Sequence, residues 1–494
     1  MSAPVARPLG GPSGPCDPGG LLGNASALLA GRIAVAAMGW AGTVLIVRSL
    51  DEHDFGQFSF VFSLLGMLSI VTDLGIGRVA IAGMLDPQRD RAEFVGSYVV
   101  LRALLGLFGY GMAVGFVALA GYPATVVQAT AVAGLVILLA TPSHAYHVAF
   151  QAHLRMGSVA VAGVAGQAAQ LALTVAIVTA GGTLVWLVVP AVLAEVVILA
   201  VTVPQARRLT QFRYVVRPAL WRELLREAVP LSIGAAFVTL YNEVDAVMLS
   251  KLDTFDSVAV YGVAYKFADL VRFVATALTM PLLSILVRAW PADLDRFRAG
   301  LRRGCGFLGF VGGAAIVGSA LFARPVVELL YGSTYGKAGG VTSVLIVATV
   351  VAFFTRLAID VLVAAGRRRS YPAIAAAGFA LNVGLNVVLI PAYSYRGAAG
   401  STLITEVVVL GILVASIRRI PGLAPVGLGF LARIVVPVAG GLAVGAGAGR
   451  FVAWPLAATL SLAAYVMLAH LVRSTGPGGL WALFDERGRA ARRR

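Results

Sequence analysis

The chain has 494 residues, 59% hydrophobic and only 13% charged, with a mean hydropathy of +0.88 and a net charge of +16. Soluble domains carry about 25% charged residues, so this composition is that of a polytopic membrane protein. Two cysteines, Cys16 and Cys305, exclude a disulfide framework or a cysteine metal site, and the positive charge belongs to loops on one side of a membrane, not to a nucleic-acid footprint.

Residues 1–22, rich in Gly and Pro, read as a disordered cytosolic tail. Cys16 has no apolar run before it, which opposes a lipoprotein signal or a cleaved signal peptide. Apolar segments of helix length follow at Asn24–Arg48, Gln57–Ala80, Phe94–Ala120, Ala124–Ala149, Gly157–Ala180 and Leu184–Pro204. A basic stretch over 205–228 then carries Arg207, Arg208, Arg213, Arg217, Arg222 and Arg226. Segments resume at Val229–Leu249, Ser257–Val287, Gly304–Ala323, Gly340–Ala364, Tyr371–Ile390 and Ala398–Ile417. Two more, Leu428–Ala448 and Phe451–Val472, precede a basic cytosolic tail over 474–494. The predicted fold is all-α, with about 14 transmembrane helices of about 20 residues each. An N-lobe (23–204) and a C-lobe (229–420), six helices each, are joined by the basic linker (205–228), and 421–473 adds two helices.

Assigning loops alternately puts most Lys and Arg on the cytosolic side, including Arg296–Arg303, and both termini there. The outer loops Asp51–Asp54 and Asp253–Asp256 are acidic. They also mark an internal repeat. Leu50-Asp51 ends the first helix and Leu252-Asp253 the seventh, and Phe55-Gly56 and Tyr261-Gly262 follow. Both helices start inside, so the duplication is parallel, and two such lobes enclose a central cavity. In the linker, Leu220, Trp221, Leu224 and Leu225 share a face opposite Arg222, Glu223 and Arg226. That pattern fits a short helix on the membrane surface or the lead-in to the next span.

Charges inside spans are costly and are functional candidates by default. The substrate-binding candidates are Arg32, Arg102, Lys266, Arg272 and Arg356; the ion-coupling or gating candidates are Asp73, Glu243, Asp245, Asp269 and Asp360. Arg32, Arg102 and Arg356 lie about eight or nine residues from the cytosolic ends of their helices, roughly 12–14 Å inside. Arginine binds phosphate bidentately and keeps its proton, so this layer suits an anionic head group. The spacing also allows a structural reading. Lys266, Asp269 and Arg272 can pair along one face, as can Arg356 and Asp360, and Arg32 or Arg102 can snorkel. Glu243 and Asp245 lie about 200° apart on their helix and share no face. One is a candidate proton or sodium site, the other a lobe-to-lobe hydrogen bond. Asp73 precedes Leu74-Gly75-Ile76-Gly77, where glycine lets the backbone leave the helix, and reads as a capping or gating residue. Asn382 and Asn386, one turn apart, can bond across to another helix or serve packing.

Catalytic motifs are weak. Asp293-Leu294-Asp295 sits in a loop too short for a nucleotide-binding domain, and no Walker A lysine loop occurs. His144, His147 and His153 lack a carboxylate or cysteine to complete a metal set. The chain reads as a transporter without a cofactor, not an enzyme.

Several segments resemble the polysaccharide or O-antigen (Wzx-type) flippases of the multidrug/oligosaccharidyl-lipid/polysaccharide (MOP) exporter superfamily. They include Trp221 and Pro230, Tyr241-Asn242-Glu243-Val244-Asp245, Tyr261-Gly262-Val263-Ala264-Tyr265 and Glu328-Leu329-Leu330-Tyr331-Gly332. Asn382-Val383-Gly384-Leu385-Asn386 through Pro391, then Gly397-Ala398-Ala399-Gly400-Ser401-Thr402 and Glu406, complete the series. The resemblance covers roughly 24–420 and carries expectations. It implies a flippase of the bacterial plasma membrane that moves a polyprenyl-pyrophosphate-linked oligosaccharide outward by ion-coupled alternating access. A cationic cavity would hold the pyrophosphate, including Arg32 and Arg272, which match arginines of the related lipid II flippases by helix and depth. The lipid bilayer and a polysaccharide polymerase would be its further partners. A multidrug or toxic-cation extruder of the same superfamily is the alternative, and would favour carboxylates and aromatics in the cavity. A membrane polysaccharide polymerase or ligase would need a long catalytic outer loop.

Overall fold

The computed structural model describes residues 18–153, 155–367, 370–420, 423 and 428–472. Most of the first predicted tail and all of the tail over 474–494 lie outside the described residues.

The N-lobe is built from α1 (Pro18–Ser49), α2 (Glu52–Asp73), α3 (Ile76–Leu85), α4 (Arg91–Leu119), α5 (Ala124–Ala133), α6 (Leu135–Ala152), α7 (Gly157–Thr179), α8 (Leu184–Leu187) and α9 (Val189–Leu209). The C-lobe contains α10 (Pro218–Leu252), α11 (Phe255–Ala289), α12 (Leu294–Tyr331), α13 (Ala338–Ala364) and α14 (Tyr371–Arg418). The additional pair is α15 (Leu428–Ala448) and α16 (Trp454–Leu471), packed on α12, where Tyr465 Oη donates to Phe310 O at 2.7 Å. Among the described residues ten helices are long and apolar enough to cross a membrane, or eleven if the segments bent by 66° at Pro230 form one span. That test takes α14 as a single span. Its backbone leaves the helix at Ser394 (φ 57°, ψ −140°) and folds back on itself. Asn382 Nδ2 then meets Ser401 Oγ at 3.1 Å, nineteen positions along the chain.

Short polar side chains start the helices. Asp51 Oδ1 accepts from Asp54 N–H at 2.8 Å, Asp90 accepts from Ala92 and Glu93, and Thr254 from Ser257. Asp293, first of the carboxylates in the Asp-Leu-Asp triplet, caps α12 by accepting from Arg296 N–H at 2.8 Å. The break between α2 and α3 is a left-handed pair, Leu74 (φ 42°) and Gly75 (φ 65°).

The apolar cores are arranged by end. At the acidic loops one continuous core contains Val47, Phe55 and Phe60 of the N-lobe with Leu249, Phe255 and Val327 of the C-lobe. At the basic loops there are two separate cores. Ile76, Phe94, Tyr98 and Phe150 form one within the N-lobe, and Leu286, Phe297, Phe353 and Leu413 form the other within the C-lobe. The lobes are thus fused at the acidic-loop end and have separate cores at the other.

The linker does not lie on the membrane by its apolar face. Leu224 is fully buried in the N-lobe core, and Leu220, Trp221 and Leu225 pack against it. Trp221 Nε1 donates to Ser97 O at 3.1 Å, Arg213 N–H to Ala92 O at 2.9 Å, and Arg89 pairs with Glu223 at 2.6 Å. Protein, not lipid, covers that stripe.

The fused end depends on small residues. A β-carbon on Gly56 would stand 1.8 Å from Phe255 O, a backbone atom with no freedom to move aside. Gly56→Ala is expected to cost about 1–3 kcal/mol, as overpacking does, and to lower the thermal unfolding midpoint in detergent.

Candidate functional site

A cavity of about 560 Å³ opens inside the C-lobe between α10, α11, α13 and α14. Phe237, Tyr241, Tyr371 and Phe379 form aromatic walls, and Arg272, Arg356, Asp360 and Glu406 supply charge. Arg272 Nη1 lies 3.1 Å from Asp269 Oδ1 and 3.2 Å from Tyr265 Oη. Arg356 Nε lies 3.4 Å from Asp360 Oδ1; Asp360 is buried, while the Arg356 side chain is 63% exposed. Glu406 Oε2 accepts from Thr355 Oγ1 at 3.0 Å. The cavity therefore places two guanidinium groups among aromatic side chains, which suits a ligand with an anionic part and an apolar or sugar-like body.

Directly beside it lies a buried carboxylate. Asp245, 1% exposed, accepts from Asn386 Nδ2 at 2.6 Å on one oxygen and from Tyr261 Oη at 2.5 Å on the other. Thr402 Oγ1 stands 2.7 Å from that second oxygen, and Asn386 Nδ2 is shared with Asn382 Oδ1 at 3.2 Å. Asn386 Oδ1 is buried without a hydrogen-bond partner. Three helices thus converge on one charge: α10 supplies it, α11 gives the tyrosine, and the arms of α14 give the amides and the threonine. Glycine and alanine at 397–400 let the second arm come close; a β-carbon on Gly397 would meet Leu389 O at 2.1 Å.

The other sequence-derived candidates are dispersed. Arg102 is buried in the N-lobe and fully engaged: Nε donates to Tyr98 Oη (2.9 Å), Nη1 to Thr72 O (2.6 Å) and Nη2 to Asp73 Oδ1 (2.8 Å). It satisfies a carbonyl at the end of α2, and Asp73 is its exposed partner. Arg32 is exposed on α1, apart from the C-lobe cavity. Glu243 faces the other lobe: a β-carbon on Gly66 of α2 would lie 3.0 Å from its carboxylate carbon. Lys266 is half-buried on α11, a turn before Asp269. Arg272, Arg356 and Asp360 therefore gather at one cavity, Asp245, Asn382 and Asn386 form the network beside it, and Arg32, Arg102 and Asp73 stand elsewhere.

Sequence reading missed Glu406 as a site residue, although a carboxylate within an apolar run of α14 carries the same signal as the others. Tyr241 lies one turn before Asp245 on α10, whereas Tyr261 and Thr402 stand in segments of the family resemblance without any local sign of a site, and the fold brings them to the Asp245 carboxylate.

Among the described residues the chain is thus a multi-pass bundle of two lobes with charged groups at an internal cavity. The family model described as "Polysaccharide biosynthesis protein" matches residues 21–287, and the chain belongs to that family. Among solved structures it resembles the lipid II flippase MurJ in an inward closed conformation, with a TM-score of 0.75 at 14% identity. That match covers 90% of this chain and 98% of that one. It also resembles an inward-facing multidrug resistance MATE family transporter (0.64, 15% identity, 76% and 92% covered) and the Vibrio cholerae MATE transporter VcmN (0.55, 16%, 81% and 97%). At these identities the likeness is one of fold. No curated protein matches the sequence.

The two kinds of arginine separate experimentally. Arg102→Ala strands Thr72 O and Tyr98 Oη in the interior and should cost about 2–3 kcal/mol. Arg356→Ala combined with Asp360→Asn, which removes the pair without stranding a buried charge, should leave thermal stability in detergent within about 1 kcal/mol of the parent.

Proposed function

We propose that this protein is a flippase for a polyprenyl-pyrophosphate-linked oligosaccharide, moving it from the cytosolic to the outer leaflet of a bacterial plasma membrane. The observation that carries the reading is the C-lobe cavity, in which Arg272 and Arg356 stand at the wall of a space large enough for a head group. Family membership and the flippase fold support it. In this reading the lobes are residues 23–204 and 229–420, and both termini are cytosolic. Fourteen spans result if α14 crosses twice and α15 and α16 each cross once. The arginines hold the diphosphate, aided by Lys266, and Arg32, outside the cavity on α1, serves a separate contact with the substrate; a polysaccharide polymerase takes the product.

Asp245 is the residue we assign to ion coupling. A single carboxylate buried among amides and hydroxyls, next to an amide oxygen with no partner, suits a proton or a small cation. We assign Glu243, which faces α2, Asp269 and the cavity residue Asp360 to the same coupling or gating role. Asp73 and Arg102 act at the α2–α3 break.

A second reading has one observation in its favour. Asp360, Glu406 and five aromatic side chains share the cavity with the arginines, the composition expected of an extruder of organic cations.

The deciding experiment uses purified protein in liposomes containing a fluorescent polyprenyl-pyrophosphate oligosaccharide, with and without proton or sodium gradients. Protein-dependent, gradient-sensitive flipping is expected. Arg272→Ala with Arg356→Ala should lower the flipping rate at least about tenfold, the loss of one charge-assisted phosphate contact or more. Absence of flipping together with saturable binding of organic cations would favour the extruder.

Asp245→Asn keeps the shape of the buried network and removes the titratable charge. It is expected to stay folded and to transport without response to the gradient, read in the same liposomes. A gradient response equal to the parent would remove Asp245 from coupling.

A further inference from the structure

At the acidic-loop end the lobes are tied by a reciprocal pair of cations. Arg48, in the last turn of α1, donates from Nε to Leu330 O at 2.7 Å and from Nη2 to Leu329 O at 2.5 Å. Those carbonyls belong to the last turn of α12, where the helix itself offers no further amides. Lys251, in the last turn of α10, donates to Ala120 O at the end of α4, at 2.6 Å, with its Nζ 3.7 Å from the centre of the Tyr122 ring.

The pairing follows the duplication of the chain. The helices α1 and α10 open their lobes, and α4 and α12 form the third rod of each. Each first helix thus places a cation on the open end of the third helix of the other lobe. Both cations come shortly before the repeated Leu-Asp pair, Leu50-Asp51 and Leu252-Asp253. A helix C-terminus carries about half a negative charge, so each contact adds a dipole to its hydrogen bonds. Arg48 and Lys251 are exposed, so water can take over their bonds when the ends part. Lys337–Glu52 at 2.6 Å and His53–Asp256 at 3.3 Å cross the same junction.

We propose that Arg48 and Lys251 are a two-point latch that holds the acidic-loop end closed, and that its release permits the opposite state of the transporter. The latch goes beyond the substrate reading and does not depend on it. Its test needs no substrate.

The test uses the full chain in detergent with Cys16→Ser and Ser59→Cys, keeping the native Cys305. Ser59 lies in the lobe junction, its Oγ 2.8 Å from where a β-carbon on Gly262 would stand. Cys305 is buried inside the C-lobe and reports on the integrity of that lobe. Labelling rates with a water-soluble maleimide are followed at both thiols. Arg48→Gln combined with Lys251→Gln should raise the rate at position 59 about tenfold, the effect of removing charge-assisted contacts, without accelerating Cys305. Each single variant should raise it less, because the other point still holds. Arg48→Lys with Lys251→Arg, which keeps both cations, should label like the parent. An unchanged rate at position 59 in the double glutamine variant overturns the proposal. Equal acceleration of Cys305 overturns it too, since the contacts would then hold the fold together and not the gate.

Discussion

Lipid cannot complete a hydrogen bond, so each polar group inside this bundle must be answered by a neighbouring helix. That constraint shapes the protein more than hydrophobicity does, because apolar side chains gain little by leaving lipid for one another. Asp245 of α10 is held by donors from two other helices, and α14 must double back at Ser394 to bring its share. The carbonyl of Thr72, released where α2 breaks, is met by Arg102 from α4.

The same requirement explains the asymmetry between the two ends. At the acidic loops the lobes approach through glycine, and Gly56 admits the Phe255 carbonyl where a side chain would collide. At the basic loops each lobe keeps its own core, and the linker binds the N-lobe alone. A ligand cavity that reaches Asp360, close to the basic end of α13, is thus nearest the side on which the lobes have separate cores.

Much of the architecture was legible in the sequence because helix-length apolar runs and loop charge are local signals. Every apolar segment read from the sequence has a helix over most of its length. The reversal at Ser394 falls between two of those segments, whereas the breaks at Leu74 and Gly134 divide single runs of hydropathy. The site was less legible. A charge within a span announces itself, but its employment does not. Arg102 and Arg356 look alike in sequence; one is consumed by a carbonyl, a phenol and Asp73, and the other stands at a cavity. The apolar stripe of the linker is equally ambiguous, since an amphipathic helix wants an apolar surface and does not specify whether lipid or Leu-rich protein provides it.

The helix α10 is fastened at both ends to different bodies. Its first turns are pinned to α4 through Trp221 and Ser97, and its membrane half is pinned to α14 through Tyr241 and Asp245. Pro230 lies between them at the 66° bend, and a proline supplies no amide to the carbonyl four residues back. The rod is in effect a bell-crank with its pivot weakened in advance. One helix thus joins the base of one lobe to the buried carboxylate of the other, across a bend at which a backbone hydrogen bond is missing.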